Sequence, residues 1–86
     1  MPEVSRFYGI VIRFYYREHP PTHFHAIYGE HEALVEIETG QIHEGFLPPK
    51  ALALVNEWRA LHLEELREAW QLSRNESPLK PIDPLE

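Results

Sequence analysis

Three of the chain's six histidines fall in one short stretch, HPPTHFHAIYG, at His19, His23 and His25. An imidazole titrates near neutral pH and also ligates borderline metal ions, so a pair spaced i, i+2 is a candidate for either chemistry. Three readings stand side by side. The pair could hold a divalent metal with a carboxylate, or it could be an acid–base site with a glutamate orienting an imidazole. It could equally be a polar, solvated sheet face that does no chemistry or docks a partner. The chain has no cysteine, which excludes disulfides and thiolate metal sites. It also has no glycine-rich phosphate loop, no nucleophile elbow and no HExxH motif. His19 is a loop cap or a third participant, and its spacing alone does not choose.

The elements that would position these residues are strands. GIVIRFYYR is rich in β-branched and aromatic residues, and period two puts Ile10, Ile12, Phe14 and Tyr16 on a core face. Val11, Arg13 and Tyr15 take the other face. Pro20 and Pro21 cannot donate ladder hydrogen bonds, so EHPPT is a connection. HFHAIY, EALVEIE and QIHEGF then read as three further strands. Turns at Gly29–Glu30 and Thr39–Gly40 join them, giving a four-stranded antiparallel sheet over residues 7–47.

Two-residue loops at both turns set the register. His23 then faces Glu36, Phe24 faces Val35 and Tyr28 faces His31, while Glu36 faces His43 and Ile37 faces Ile42. Phe24, Ala26, Ala33, Val35, Ile37 and Ile42 share the covered side. His23, Glu36 and His43 form a row on the open side, flanked by His25 and Glu38. The metal reading therefore rests on His23, His25, Glu36 and His43, with no other cofactor required. One misfit is Glu44, which this register turns into the core unless a bulge or an early strand end intervenes.

From Pro48 the period changes. Ala51, Leu54, Val55, Trp58, Leu61, His62, Leu66, Ala69 and Trp70 follow helical spacing, predicting C-terminal helix over residues 49–74 on one sheet face. Unbroken, it would be about 39 Å long at ~1.5 Å per residue, which overshoots so small a domain. A break near His62–Glu64 is expected, the alternative being one long helix packed in a homodimer. Trp58 and Trp70 read as core anchors and His62 as a packing histidine. Residues 1–76 form a single α+β domain in this reading, and 77–86 a proline-rich tail.

Hydrophobic residues are 43% of the 86, a globular composition. Seven of the ten aromatics lie in residues 1–28 and read as core-filling strand residues. The net charge of −6 is uneven: +1 over residues 1–28, −4 over 29–62 and −3 over 63–86. Broad steering toward nucleic acid is therefore not expected, though an N-terminal basic and aromatic patch could still act locally. No apolar run approaches the roughly 20 residues of a membrane span, and no secretory signal is apparent, so a cytoplasmic location is expected.

The segments SRFYG (Ser5–Gly9) and PPTHFHAIYG (Pro20–Gly29), with a helix carrying Trp58 and a later EL before Trp70, resemble the bacterial family called domain of unknown function 4160. The likeness spans nearly the whole chain. The family usually has Asn between its loop histidine and the prolines, where His19 here runs directly into Pro20. The resemblance implies a small bacterial protein often encoded beside a member of domain of unknown function 2442, an arrangement like a type II toxin–antitoxin pair. On that basis the leading expectation is the toxin-like member, with a protein of that second family as partner and RNA as substrate. His23, His25, Arg13 and Tyr15 would then be the working surface. A histidine would serve as general base, Arg13 would hold phosphate and Glu36 would orient imidazole. The rival is a non-enzymatic module whose sheet edge or face docks a partner.

Overall fold

The computed structural model describes residues 2–86. Its sheet is an antiparallel meander in chain order: β1 (Glu3–Phe7), β2 (Ile10–Arg13), β3 (His23–Tyr28), β4 (His31–Glu36) and β5 (Ile42–Gly45). Helices α1 (Pro49–Leu61) and α2 (Leu63–Arg74) follow. The α+β class is as expected, but the sheet has five strands, not four.

The added strand is β1. A register shift between Glu3 and Ser5 lets Val4 and Ser5 both turn inward, which breaks the alternation that would have announced a strand. Phe7 pairs with Ile10 across Tyr8–Gly9, where both residues have positive φ (50° and 80°). That is the backbone of a tight hairpin turn, and glycine at the second position relieves half its strain. β2 stops at Arg13, short of the expected strand to Arg17. Phe14 stays buried, but Tyr16 is 41% exposed where alternation had placed it in the core. The left-handed φ of 62° at Arg17 shows why, since extended pairing has already ended.

The β3–β4 register is the expected one, with His23 opposite Glu36 and Tyr28 opposite His31. The β4–β5 register is not. Val35 pairs with Ile42 and Leu34 with Glu44, so His43 is the extra residue of a bulge. The expected Glu36–His43 and Ile37–Ile42 pairs are absent, and the bulge turns Glu44 outward to solvent. The connection is longer than two residues because α1 grips it. Asn56 Nδ2 donates to the Gly40 carbonyl at 3.1 Å, and Arg59 Nη1 to the Ile37 carbonyl at 2.9 Å. A Cβ on Gly40 would lie 1.8 Å from Asn56 Oδ1, so only glycine allows this approach.

The core lies between the sheet and the helices. Trp58 is fully buried and meets Phe7 and Phe24 at ring-centroid distances of 5.3 and 5.9 Å. Val55, Leu66, Ala69 and Trp70 join it. The expected break falls at His62, whose backbone N–H closes α1 on the Trp58 and Arg59 carbonyls. Leu54 is half-buried, and Leu61, expected in the core, is 66% exposed because the helix ends there. Beyond α2 residues 77–86 form no helix or strand, yet Ile82 and Leu85 are buried. Among the described residues no helix is long and apolar enough to cross a membrane.

Candidate metal centre

Alternation along β3 sets His23 and His25 on the face opposite Phe24 and Ala26. That face was expected to be open, and at this end it is not: the two histidines are only 4% and 5% exposed. The segment between β2 and β3 folds back over them instead of pairing, since its two prolines cannot extend a ladder. Tyr15 stacks on the His25 ring at 4.1 Å and 7°, and Trp70 of α2 packs against His23 at 5.3 Å.

The same segment brings in Glu18. Its Oε1 lies 3.0 Å from His23 Nε2 and 2.5 Å from His25 Nε2, so both rings converge on one carboxylate oxygen. Each opposite ring nitrogen is also held. His23 Nδ1 donates to the Pro21 carbonyl at 2.7 Å, and His25 Nδ1 meets Glu32 Oε2 at 2.9 Å. The ligand atoms of Glu18, His23 and His25 all lie within 4.8 Å of one another, and these three residues could hold a metal ion.

A carbonyl only accepts, so His23 Nδ1 carries the hydrogen, and in a neutral ring Nε2 then points a lone pair at Glu18. His25 stands between two carboxylates with a single N–H to give if neutral. Two extra protons, one per ring, would satisfy the cluster. A single divalent cation among the two Nε2 atoms and Glu18 would do so as well. Glu18 and Glu32 supply two negative charges to match.

The sequence-derived set is thus partly assembled. Tyr15, Arg13 and His25 do come together: Arg13 pairs with His25 across β2–β3. Its Nε is buried without a hydrogen-bond partner among the described residues. Glu36 and His43, expected to complete a metal set and to orient imidazole, are not in the cluster. Glu36 instead accepts from Thr39 Oγ1 at 3.2 Å and faces His43 Nδ1 at 3.7 Å. The cause is the bulge at His43 together with the extra length of the connection. Glu18 and Glu32 take the places given to Glu36. Glu18 was missed because nothing in strand periodicity says which way a loop carboxylate turns. His19 is exposed and lines a depression of about 180 Å³ with Glu18, Pro20, Pro21, His23, Leu34, His43 and Glu44.

Fold and site define a small α+β protein whose β2–β3 connection closes a two-histidine, one-glutamate cluster over a five-stranded meander. Residues 9–71 match the family described as Domain of unknown function (DUF4160), and the chain belongs to that family. No curated protein and no solved structure matches it.

Proposed function

We propose that this protein binds one divalent metal ion through His23 Nε2, His25 Nε2 and a carboxylate oxygen of Glu18. The carrying observation is that both Nε2 atoms converge on one carboxylate oxygen while each Nδ1 is pinned by an acceptor. Metal-ligating histidines characteristically donate their second nitrogen to a carbonyl or carboxylate, which fixes ring orientation and tautomer. The competing occupancy, two imidazolium rings 5.4 Å apart in a buried place, sets like charges against each other. Imidazole and carboxylate suit zinc among common ions, and three protein ligands leave a position for water or substrate. A metal in that position would supply Lewis acidity and lower the pKa of a bound water.

The test is calorimetric titration of chelator-stripped protein with Zn²⁺, Ni²⁺ and Mn²⁺, with metal content checked by elemental analysis. One ion per chain is expected for zinc, lost in a Glu18→Ala, His23→Ala, His25→Ala variant. Absence of binding to the wild type, or equal binding by the variant, overturns the reading.

A finer proposal is a toxin-like cytoplasmic protein acting on RNA, and Arg13 supports the RNA part of it. It sets a guanidinium, a phosphate-binding group, on the strand beside His25. Expression of the chain with and without a protein of the domain of unknown function 2442 family, scored by growth, co-purification and RNA integrity, tests it. Unchanged growth and intact RNA would dismiss it. The unpaired edge of β5 supports the non-enzymatic alternative, strand addition by a partner. Co-purification without RNA loss would be its signature.

A further inference from the structure

We infer that metal occupancy at Glu18, His23 and His25 controls how firmly the C-terminal segment 77–86 docks on the core. This rests on the metal reading above and adds a regulatory consequence to it.

Glu18 is tied to the end of α2 through its neighbour in the chain. The next residue back, Arg17, is fastened to the end of α2: its backbone N–H donates to the Ser73 carbonyl at 3.4 Å. Its Nε lies 3.5 Å from Glu76 Oε2. Arg17 and Glu76 are both non-glycine residues with left-handed backbones, at φ 62° and 55°. Both side chains are exposed, so the junction is held by the Arg17–Ser73 backbone bond with the ion pair beside it. A second connection is the His23 ring against Trp70, whose carbonyl accepts from the buried Ser73 hydroxyl at 2.8 Å.

The chain leaves this junction as a segment without helix or strand. Its polar ties to the rest of the chain are Ser77 N–H to the Leu72 carbonyl at 2.9 Å, Ile82 N–H to the Val4 carbonyl at 2.7 Å, Trp58 Nε1–H to the Asp83 carbonyl at 2.8 Å and Lys80 Nζ to Glu68 Oε2 at 3.5 Å. Side chains of Ile82 and Leu85 complete the docking. A segment with no ladder or helix of its own, docked by side chains and a few hydrogen bonds, opens before the rest of the core and is suited to be biased from a neighbouring site. Without a cation, hydrogen bonds alone hold Glu18 to the two rings, and the connection carrying Glu18 is less firmly fixed. Arg17 moves with it, the Ser73 and Glu76 contacts weaken, and the segment that follows loses its anchor. With the cation bound, the same chain of contacts tightens. By linkage, a docked segment also strengthens metal binding.

Hydrogen exchange read by mass spectrometry, with and without saturating Zn²⁺, tests this on the full chain, with calorimetry run alongside. Peptides covering 14–25 report the centre, and peptides covering 77–86 report docking. The expected result is slower exchange in both, with protection of 77–86 in the roughly 5–150-fold range of ordinary coupling. Glu76→Ala should still bind zinc, somewhat more weakly by the same linkage, and keep protection of 14–25 while losing most of the remote effect. If zinc binds and protects 14–25 but leaves 77–86 unchanged, the coupling is overturned and the metal reading stands. Full remote protection in Glu76→Ala overturns the route through the junction. If zinc does not bind, both fall together.

Discussion

The indole N–H of Trp58, in the fully buried centre of the core, is satisfied by the backbone carbonyl of Asp83 at 2.8 Å. A residue at the middle of the longest helical stripe thus depends on a segment without secondary structure. Deleting residues 79–86 removes that acceptor and the buried Ile82 and Leu85 side chains. An orphaned buried donor costs about 1–3 kcal/mol and each lost aliphatic contact about 1.5–3 kcal/mol when complete. The truncated chain should lose at least about 3 kcal/mol in urea unfolding. An unchanged midpoint would mean that the segment merely lies on the surface.

Trp58→Ala should cost about 3–5 kcal/mol, because a large fully buried ring leaves a cavity among Phe7, Phe24 and the sheet. Leu54, half-buried, should fall below the ~2 kcal/mol that marks the lower end for buried leucines. Thermal melts of the two variants check the order. A more damaging Leu54→Ala would show that the wrong helix face had been placed inward.

Glu32 touches His25 Nδ1 at 2.9 Å on the side away from Glu18. Glu32→Gln keeps the shape and removes the charge that holds the ring. Zinc affinity should fall by roughly 10–100-fold, the usual effect of losing such an outer partner, with little change in melting temperature. Titration of the variant decides, and wild-type affinity would leave Glu32 without influence on the centre.

His23→Ala, His25→Ala is expected to be more destabilising than a surface pair, whose substitutions usually stay within about ±0.5 kcal/mol. Both imidazoles are buried and hydrogen-bonded, and their removal strands the Pro21 carbonyl and part of two carboxylates. A loss beyond 1 kcal/mol or so in metal-free buffer is anticipated. If the metal-free variant melts with the wild type, the cluster contributes nothing to folding.

The exposed pair Glu38–Arg67 gives a pH signature. Hydrogen bonds from the Arg67 guanidinium, at 2.9 and 2.7 Å, hold the Glu38 carboxyl below its ordinary value. A carboxyl lowered on folding stabilises above its unfolded pKa and loses that contribution as pH falls through the folded one. Glu38→Gln should therefore narrow its stability gap to wild type on acidification, and also on adding salt. A gap that stays constant with pH would show that the carboxylate charge plays no part.

Much of the fold is legible in the residues themselves. Period two along HFHAIY and EALVEIE, with Gly29–Glu30 between them, places His23 opposite Glu36 because a two-residue turn leaves one register. The helical stripe from Ala51 to Trp70 and its break at His62 follow equally from local spacing. β1 was not legible, since a bulge hides its alternation and its partner lies in the next strand.

The pair His23 and His25 was visible as chemistry, and so was the company of Arg13 and Tyr15 on their face. Their carboxylates were not. Glu36 stood across the ladder, and short-range rules assigned it to the rings. The bulge at His43 and the grip of Asn56 and Arg59 on the connection draw Glu36 toward Thr39 instead. Glu18 reaches both rings because the Tyr15–Pro21 connection folds over the sheet against the end of α2. Local periodicity settles which face a strand residue takes, since the backbone pleat enforces it. What covers that face is decided by contacts between distant segments, and here those contacts buried two imidazoles and chose their partners.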